Sequence, residues 1–176
     1  MTRELALLVM VAAALLLVGL GLWAWLRRTR RDAAYAAPVG EIPTDAEVVA
    51  TVAGFYVATT AHDQPLERLA IRGLGFRSRV DMTVTTAGIA LDLPGQPRFF
   101  LAVDRLVTAD RATVAIDRVV ERDGLVRIVW RIDAADGPTL VDTYLRPQDA
   151  PTQPLASAVN GILPASTSTT PTGSAA

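Results

Sequence analysis

The hydrophobic positions divide the chain into two parts with very different patterns. An uninterrupted apolar run of 22 residues, Leu5 to Leu26, lies close to the N-terminus. As a helix it would extend about 33 Å, enough to cross a hydrocarbon core of about 30 Å. Aromatic and basic residues at its end are typical of a membrane–water interface: Trp23, Trp25, Arg27, Arg28, Arg30 and Arg31. The pattern therefore predicts a transmembrane helix that interacts with the lipid bilayer.

The alternative for this run is a secretory signal peptide. Such peptides have an apolar core of about 7–15 residues and a small-residue cleavage site just after it. Here the run is longer, and the small-residue motif Ala34-Tyr35-Ala36 lies beyond the arginines. We therefore expect an uncleaved, single-pass anchor. The four arginines outnumber Arg3 on the other flank, so the positive-inside rule places the N-terminus outside the plasma membrane and the remaining chain in the cytoplasm.

Beyond the anchor, short alternating segments predict β-strands. Residues 47–60 are rich in Val, Thr and aromatic residues, with Gly54 as an expected bulge. From Phe76 the pattern has period two, which directs Phe76, Val80, Met82 and Val84 inward and Arg77, Arg79, Asp81 and Thr83 outward. Residues 125–133 alternate in the same way, with Val126, Ile128, Trp130 and Ile132 inward. Further strands are expected at 89–93, 98–107, 113–120 and 139–145, whereas residues 67–73 fit either a helix or a strand.

Turn signals separate these segments and predict a small barrel or sandwich. They are Asp63-Gln64-Pro65, Thr86-Ala87-Gly88, Pro94-Gly95, Asp123-Gly124 and Asp136-Gly137. The last two predict tight hairpins. Pro154, Leu155, Val159 and Ile162 then have helical spacing, so one short amphipathic helix should close the domain and cover an open end of the barrel.

Composition limits the domain organisation and the chemistry. We divide the chain into an anchor with its basic stop (1–31), a linker (32–44), a β domain (45–163) and a disordered tail of Ser, Thr, Pro, Gly and Ala (164–176). The 17 basic residues are all Arg, as is common with GC-rich coding, and there is no Cys. Disulfides and thiolate metal sites are therefore excluded. Residues 47–163 carry 12 Arg against 14 acidic residues, which argues against nucleic acid as a partner.

The order of several short motifs resembles that of bacterial, high-GC Gram-positive single-pass membrane proteins with a pleckstrin-homology-like (PH-like) domain. The motifs are Phe55-Tyr56-Val57-Ala58-Thr59-Thr60, Leu66-Glu67-Arg68, Gly73-Leu74-Gly75, Val84-Thr85-Thr86-Ala87-Gly88-Ile89, Gly124-Leu125-Val126, Val129-Trp130-Arg131 and Asp142-Thr143-Tyr144-Leu145-Arg146. The resemblance implies a bent, seven-stranded sheet pair or open barrel with a C-terminal helix, and no established activity. PH domains bind phosphoinositides through basic residues after the first strand, but residues 61–65 contain neither Lys nor Arg. This departure argues against phosphoinositide binding.

Few residues are candidates for chemistry. Arg68, Arg72, Arg77 and Arg79 form a basic cluster that could bind anionic headgroups or an acidic partner, or could be a solvated sheet face. His62 beside Asp63 could transfer protons, although a loop histidine is more often simply solvated. Gly73-Leu74-Gly75 lacks the third glycine of a dinucleotide loop. We therefore expect no catalytic residues, no metal and no cofactor.

These observations predict a membrane-anchored interaction or scaffolding module with a membrane protein as its partner, and not an enzyme. Tethering would raise the local concentration of such a partner, and an open sheet edge could bind it by strand addition. The alternative is an accessory single-span subunit of a transporter or a cell-envelope assembly.

Overall fold

The computed structural model of the protein describes residues 3–32, 34–115, 118–119, 123–148 and 150–164. The predicted disordered tail lies almost entirely outside these residues. In chain order the elements are α1 (Arg3–Asp32), β1 (Val48–Ala61), β2 (Ser78–Thr85), β3 (Gly88–Asp92), β4 (Phe99–Ala102), a 3-10 turn (Val103–Arg105), β5 (Leu106–Ala112), β6 (Val114–Ala115), β7 (Arg118–Val119), β8 (Leu125–Ala134), β9 (Gly137–Pro147) and α2 (Thr152–Ile162).

Seven strands form one antiparallel sheet in the order β4-β3-β2-β1-β9-β8-β5, while β6 and β7 pair only with each other. The long strand β1 links the two halves, because it pairs with β2 from Val48 to Tyr56 and with β9 from Gly54 to Ala61. One core cluster contains Leu101 of β4 and Ile128 of β8. These strands are five positions apart in the sheet, about 24 Å at ordinary strand spacing. The sheet must therefore curve around its core.

The period-two pattern predicted most of the core correctly. Val80, Met82 and Val84 are at most 2% exposed, and the inward set on β8, including Trp130, is fully buried. Phe76 is the exception, and its prediction as an inward strand residue was wrong. β2 begins only at Ser78, and Phe76 is 85% exposed in the connection before it.

Most predicted turns are present, and two details differ. Thr86-Ala87 joins β2 to β3, Gly95 has φ 73° between β3 and β4, and Ala135-Asp136 closes the β8–β9 hairpin. Asp123-Gly124 leads into β8, but β8 pairs with β5 and β9, so the predicted hairpin there was wrong. No bulge lies at Gly54. A Cβ at this position would come within 2.4 Å of the Arg146 carbonyl oxygen, so the glycine permits close approach of β1 and β9.

Two segments depart from the predicted strands. Residues 67–73 form neither a helix nor a strand, yet they bury Leu69 and Ile71 in the core. The expected strand at 98–107 is divided between β4 and β5 by the 3-10 turn. The strand material expected at 113–120 is present as the short pair β6 and β7, with residues 116, 117 and 120 outside the described part.

The C-terminal helix α2 forms as predicted, with Pro154 in its first turn and Leu155 and Val159 buried. It packs against β5, β8, β1 and β2, and so contacts both halves of the sheet. The Asn160 side chain accepts a hydrogen bond from the Ala109 N–H at 2.9 Å and donates one to the Ala109 carbonyl at 2.7 Å. The helix therefore occupies the outer edge of β5 at this residue.

The segment between α1 and β1 contacts the domain before the first strand begins. We call residues 35–40 the strap. The Gly40 N–H donates to the Arg98 carbonyl at 3.1 Å, and the Phe100 N–H donates to the Pro38 carbonyl at 2.7 Å, as in an added strand along β4. The Ala36 N–H donates to the Asp133 carbonyl at 3.0 Å. Much of the segment expected to be a linker therefore lies along the β4 edge of the sheet.

The N-terminal helix α1 is long and apolar enough to cross a membrane, and its apolar stretch is not buried by the described chain. Its 30 residues would extend about 45 Å, longer than a hydrocarbon core. Arg27, Arg28, Arg30 and Arg31 all lie on this helix. The guanidinium of Arg27 lies over the Trp23 ring, 5.5 Å from its centroid.

Candidate functional site

The end of α1 and the long connection between β1 and β2, residues 62–77, lie side by side. Between them lies an open groove of about 940 Å³ that is lined by Trp23, Ala24 and Arg27 from the helix and by residues 64–67 from the connection. A second space of about 880 Å³ is lined by Trp25 from the helix and by Leu66, Arg72, Phe76 and Arg77 from the connection. The connection is therefore level with the aromatic and basic end of the helix.

Two large apolar side chains of this connection face outward. Phe76 is 85% exposed and Leu66 is 69% exposed. Sequence reasoning missed both, because Phe76 fits the alternation that continues into β2 and Leu66 has no pattern around it. A signal did exist in the position of Phe76 directly after Gly75 and before Arg77, where a strand pattern is least certain.

Three of the four arginines of the predicted basic cluster line one space, and the fourth lines a neighbouring groove. Arg68 donates to the Gly75 carbonyl at 2.8 Å and to the Val57 carbonyl, so it holds the connection against β1. Arg79 lines a different groove with Asp81 and Asp92. Arg68, Arg72 and Arg77 line the same space as Phe76, and the Arg77 guanidinium is stacked 4.9 Å from the centroid of the Phe55 ring.

His62 and Asp63 belong to a charged cluster at the end of β1. Asp142 of β9 is fully buried, and its Oδ1 lies 2.7 Å from His62 Nδ1. Its Oδ2 accepts a hydrogen bond from the Asp63 N–H at 3.1 Å and lies 3.7 Å from Arg127 Nη1. Arg127 also pairs with Asp63 and with Asp110 of β5, at 3.4 and 3.3 Å. Charged side chains therefore join four neighbouring parts of the domain.

This cluster has the residue types of a metal site. His62, Asp63 and Asp142 place one ligand atom each within 4.8 Å of one another. However, both oxygens of Asp142 already face hydrogen-bond donors, and the permanent positive charge of Arg127 lies beside them. A divalent cation would have to displace these contacts against that charge. We therefore interpret the cluster as a structural one that attaches the start of the β1–β2 connection to β9.

A chain of hydrogen bonds crosses the core. The Trp130 indole N–H donates to Thr143 Oγ1 at 2.8 Å, and Thr143 Oγ1 lies 2.8 Å from Thr59 Oγ1. Thr59 Oγ1 lies 3.1 Å from the Tyr56 hydroxyl, which donates to the Leu74 carbonyl at 2.6 Å. If the donors run from Trp130 through Thr143 and Thr59 to Tyr56, each hydroxyl donates one hydrogen bond and accepts one. The buried polar groups of this chain therefore all have partners. Burial raises the pKa of Tyr56 to about 12.

The strand order and the C-terminal helix are consistent with the result of a comparison against protein families. The family model described as bacterial PH domain-like matches residues 35–160. The chain belongs to this family. No curated protein matches the chain.

The match to the bacterial PH-like family begins at residue 35, where the strap begins. The PH-like domain therefore includes residues placed in the linker by the sequence pattern. Gly73 in its β1–β2 connection has φ 81°, and a Cβ there would come within 2.6 Å of Phe99 Cζ. This glycine serves a turn that packs against the domain, and the following residue, Leu74, is buried.

Proposed function

We propose that the protein is a single-pass, membrane-anchored interaction module. α1 crosses the plasma membrane with its N-terminus outside, and the PH-like domain lies at the cytoplasmic surface. The partner in this proposal is another membrane protein, and no catalytic role is assigned. The observation that carries the proposal is the direct succession of an exposed apolar helix, four arginines and a PH-like domain.

The short distance between helix and domain supports this proposal. Only residues 33–35 separate the end of α1 at Asp32 from the first domain hydrogen bond at Ala36. Four residue steps extend at most about 14 Å. A domain on so short a connection stays beside the membrane, where its effective concentration toward other membrane proteins is high.

Partner binding by strand addition, which the sequence suggested, is disfavoured because both edge strands of the sheet already bind other parts of the chain. The strap covers β4 at Arg98 and Phe100, and Asn160 covers β5 at Ala109. A partner strand would have to displace these groups. Surfaces away from the edges are therefore better candidates for contact with a protein.

Crosslinking in intact membranes, followed by purification through a C-terminal tag, tests the proposal. We expect one enriched membrane protein, crosslinked to the PH-like domain. Replacing residues 5–26 with an unrelated apolar span provides the control. An interaction module keeps its partner after the exchange. Loss of the partner would favour the alternative, an accessory subunit of a transporter or cell-envelope assembly that binds through the span.

A further inference from the structure

We propose that Leu66 and Phe76 insert into the interfacial layer of the bilayer that α1 crosses, while Arg72 and Arg77 face anionic headgroups. This inference rests on the proposed function, because it requires α1 to be a membrane anchor. It adds a second membrane contact, made by the domain itself, which would fix how the domain is oriented on the surface. The occupant of this face is a lipid surface.

The exposure of the two apolar side chains is the first observation. A phenyl ring that is 85% exposed and a leucine that is 69% exposed lie in the same connection and line the same space. Single exposed apolar residues are common on soluble domains, whereas a local apolar group beside basic residues marks an interaction surface. Phe and Leu flanked by Arg are the composition of surfaces that lie in a membrane interface.

The depth of this surface is the second observation. Leu66 lines both spaces that the connection shares with α1, one with Trp23 and Arg27 and the other with Trp25. Tryptophans and arginines at the end of a membrane helix lie at the headgroup level. At that level, lipid surrounds the helix. Lipid headgroups and the upper acyl chains would therefore fill the spaces between α1 and the connection.

The charges around this face and the short connection between α1 and the domain support contact with lipid. Arg72 and Arg77 are both exposed and line the same space as Leu66 and Phe76. Of the acidic residues nearby, Glu67 lines the first space beside Leu66, and Asp92 lines the neighbouring groove, where Arg98 binds it at 2.7 Å. Because at most about 14 Å of chain joins the end of α1 to the first domain hydrogen bond at Ala36, the domain stays beside the membrane, within reach of this contact.

The absence of cysteine from the chain permits a direct test with the full-length protein. Phe76→Cys is labelled with an environment-sensitive fluorophore and reconstituted into vesicles of phosphatidylcholine and phosphatidylglycerol that carry nitroxide-labelled lipids. Val48→Cys is the matched control. It is also an exposed apolar residue, at 63%, but it lies at the other end of β1, about 26 Å along the strand from Tyr56.

We expect the lipid nitroxides to quench the label at position 76 several-fold more strongly than the label at position 48. Equal quenching at both positions would overturn the inference. The label at position 76 could also be shielded from water-soluble quenchers without being quenched by the lipid nitroxides. That result would overturn the inference too, because it means that position 76 is buried against protein. A chain that fails to float with the vesicles would contradict the proposed function itself, which keeps the two failures distinguishable.

A second variant tests the role of charge. Arg72→Gln should lower the ratio of inserted to uninserted label at position 76 about fivefold, the equivalent of about 1 kcal/mol per basic residue near an anionic surface. The effect should disappear in vesicles of phosphatidylcholine alone. Arg111→Gln, on β5, removes the same charge away from this face and should leave the ratio unchanged. An equal loss in both variants would overturn the charge contribution.

Discussion

Asp142 is a buried carboxylate whose charge is shared by His62, the Asp63 N–H and Arg127. Asp142→Asn removes the negative charge and leaves the Arg127 guanidinium, the His62 ring and the Asp63 N–H beside a neutral amide. Because the partners are about one-third exposed, we expect a loss of about 1–3 kcal/mol, below the range for a completely buried pair. Urea unfolding of the full chain in detergent micelles, followed by near-ultraviolet circular dichroism, measures it.

Asp136→Asn is the control for this substitution. It changes the same functional group in the exposed turn between β8 and β9, and its expected effect is within about 0.5 kcal/mol. If both variants unfold at the same urea concentration as the unmodified chain, Asp142 does not stabilise the attachment of the β1–β2 connection to β9.

Tyr56 gives the fold a dependence on alkaline pH. Burial raises its pKa from about 10 to about 12, so the folded state holds the phenolic proton more tightly than the unfolded state. Its contribution to stability is complete below pH 10 and is lost as the pH rises toward 12. Burial, and then the Asp142 carboxylate, also raise the pKa of Tyr144, which acts in the same direction.

Tyr56→Phe should therefore reduce the loss of stability between pH 10 and 12. At pH 7 it should cost about 1–2 kcal/mol, because Thr59 and the Leu74 carbonyl lose a buried partner. Denaturation midpoints across this pH range are the measurement, with Tyr144→Phe as the comparison. An unchanged slope in Tyr56→Phe would contradict the assignment to this residue.

For single residues, the sequence predicts which face of a strand a side chain occupies but not which side chains it contacts. Alternation correctly directed Val126, Ile128 and Trp130 inward, since period two is a direct consequence of strand geometry. The pairing of Thr59 with Thr143, 84 residues away, depends on strand register, which no local pattern contains. The sequence also gave no sign that Asp142 is completely buried or that it contacts His62 and Arg127.

At the scale of elements, helix α2 protects an edge of the sheet as well as covering the core. Asn160→Ala would leave the Ala109 N–H and carbonyl without this partner. We expect a loss of about 1–2 kcal/mol and faster amide hydrogen exchange in β5. Ser157→Ala, at an exposed site on the same helix, should have neither effect. Unchanged exchange in β5 would mean that Asn160 does not protect this edge.

The strap shows why a domain boundary is difficult to read from composition. Residues 35–40 contain Ala, Pro and Gly without periodicity, which is typical of a linker. In the structure Pro38 and Gly40 nevertheless exchange backbone hydrogen bonds with the β4 edge, and such bonds place few demands on side chains. Tyr35 and Ala37 also pack against the core, and Pro38 is buried. These residues follow neither a strand nor a helix period, so the sequence pattern gave no sign of this packing.

For the whole molecule, the seven-stranded sheet and its closing helix were predictable, because strand alternation, turn residues and motif order all indicated the same fold. The apolar face at Leu66 and Phe76 was not, since it depends on where a long connection lies relative to α1. The proposed function requires this placement of the domain beside the membrane.

Cysteine accessibility in intact bacterial spheroplasts tests the central claim, that α1 crosses the membrane and the PH-like domain is cytoplasmic. Two single-cysteine variants, Thr2→Cys and Val48→Cys, are treated with a membrane-impermeant maleimide. The account predicts that position 2 reacts in intact spheroplasts, that position 48 reacts only after permeabilisation, and that both variants stay in the membrane after an alkaline carbonate wash. Reaction at position 48 in intact spheroplasts, or release of the protein by the wash, would contradict it.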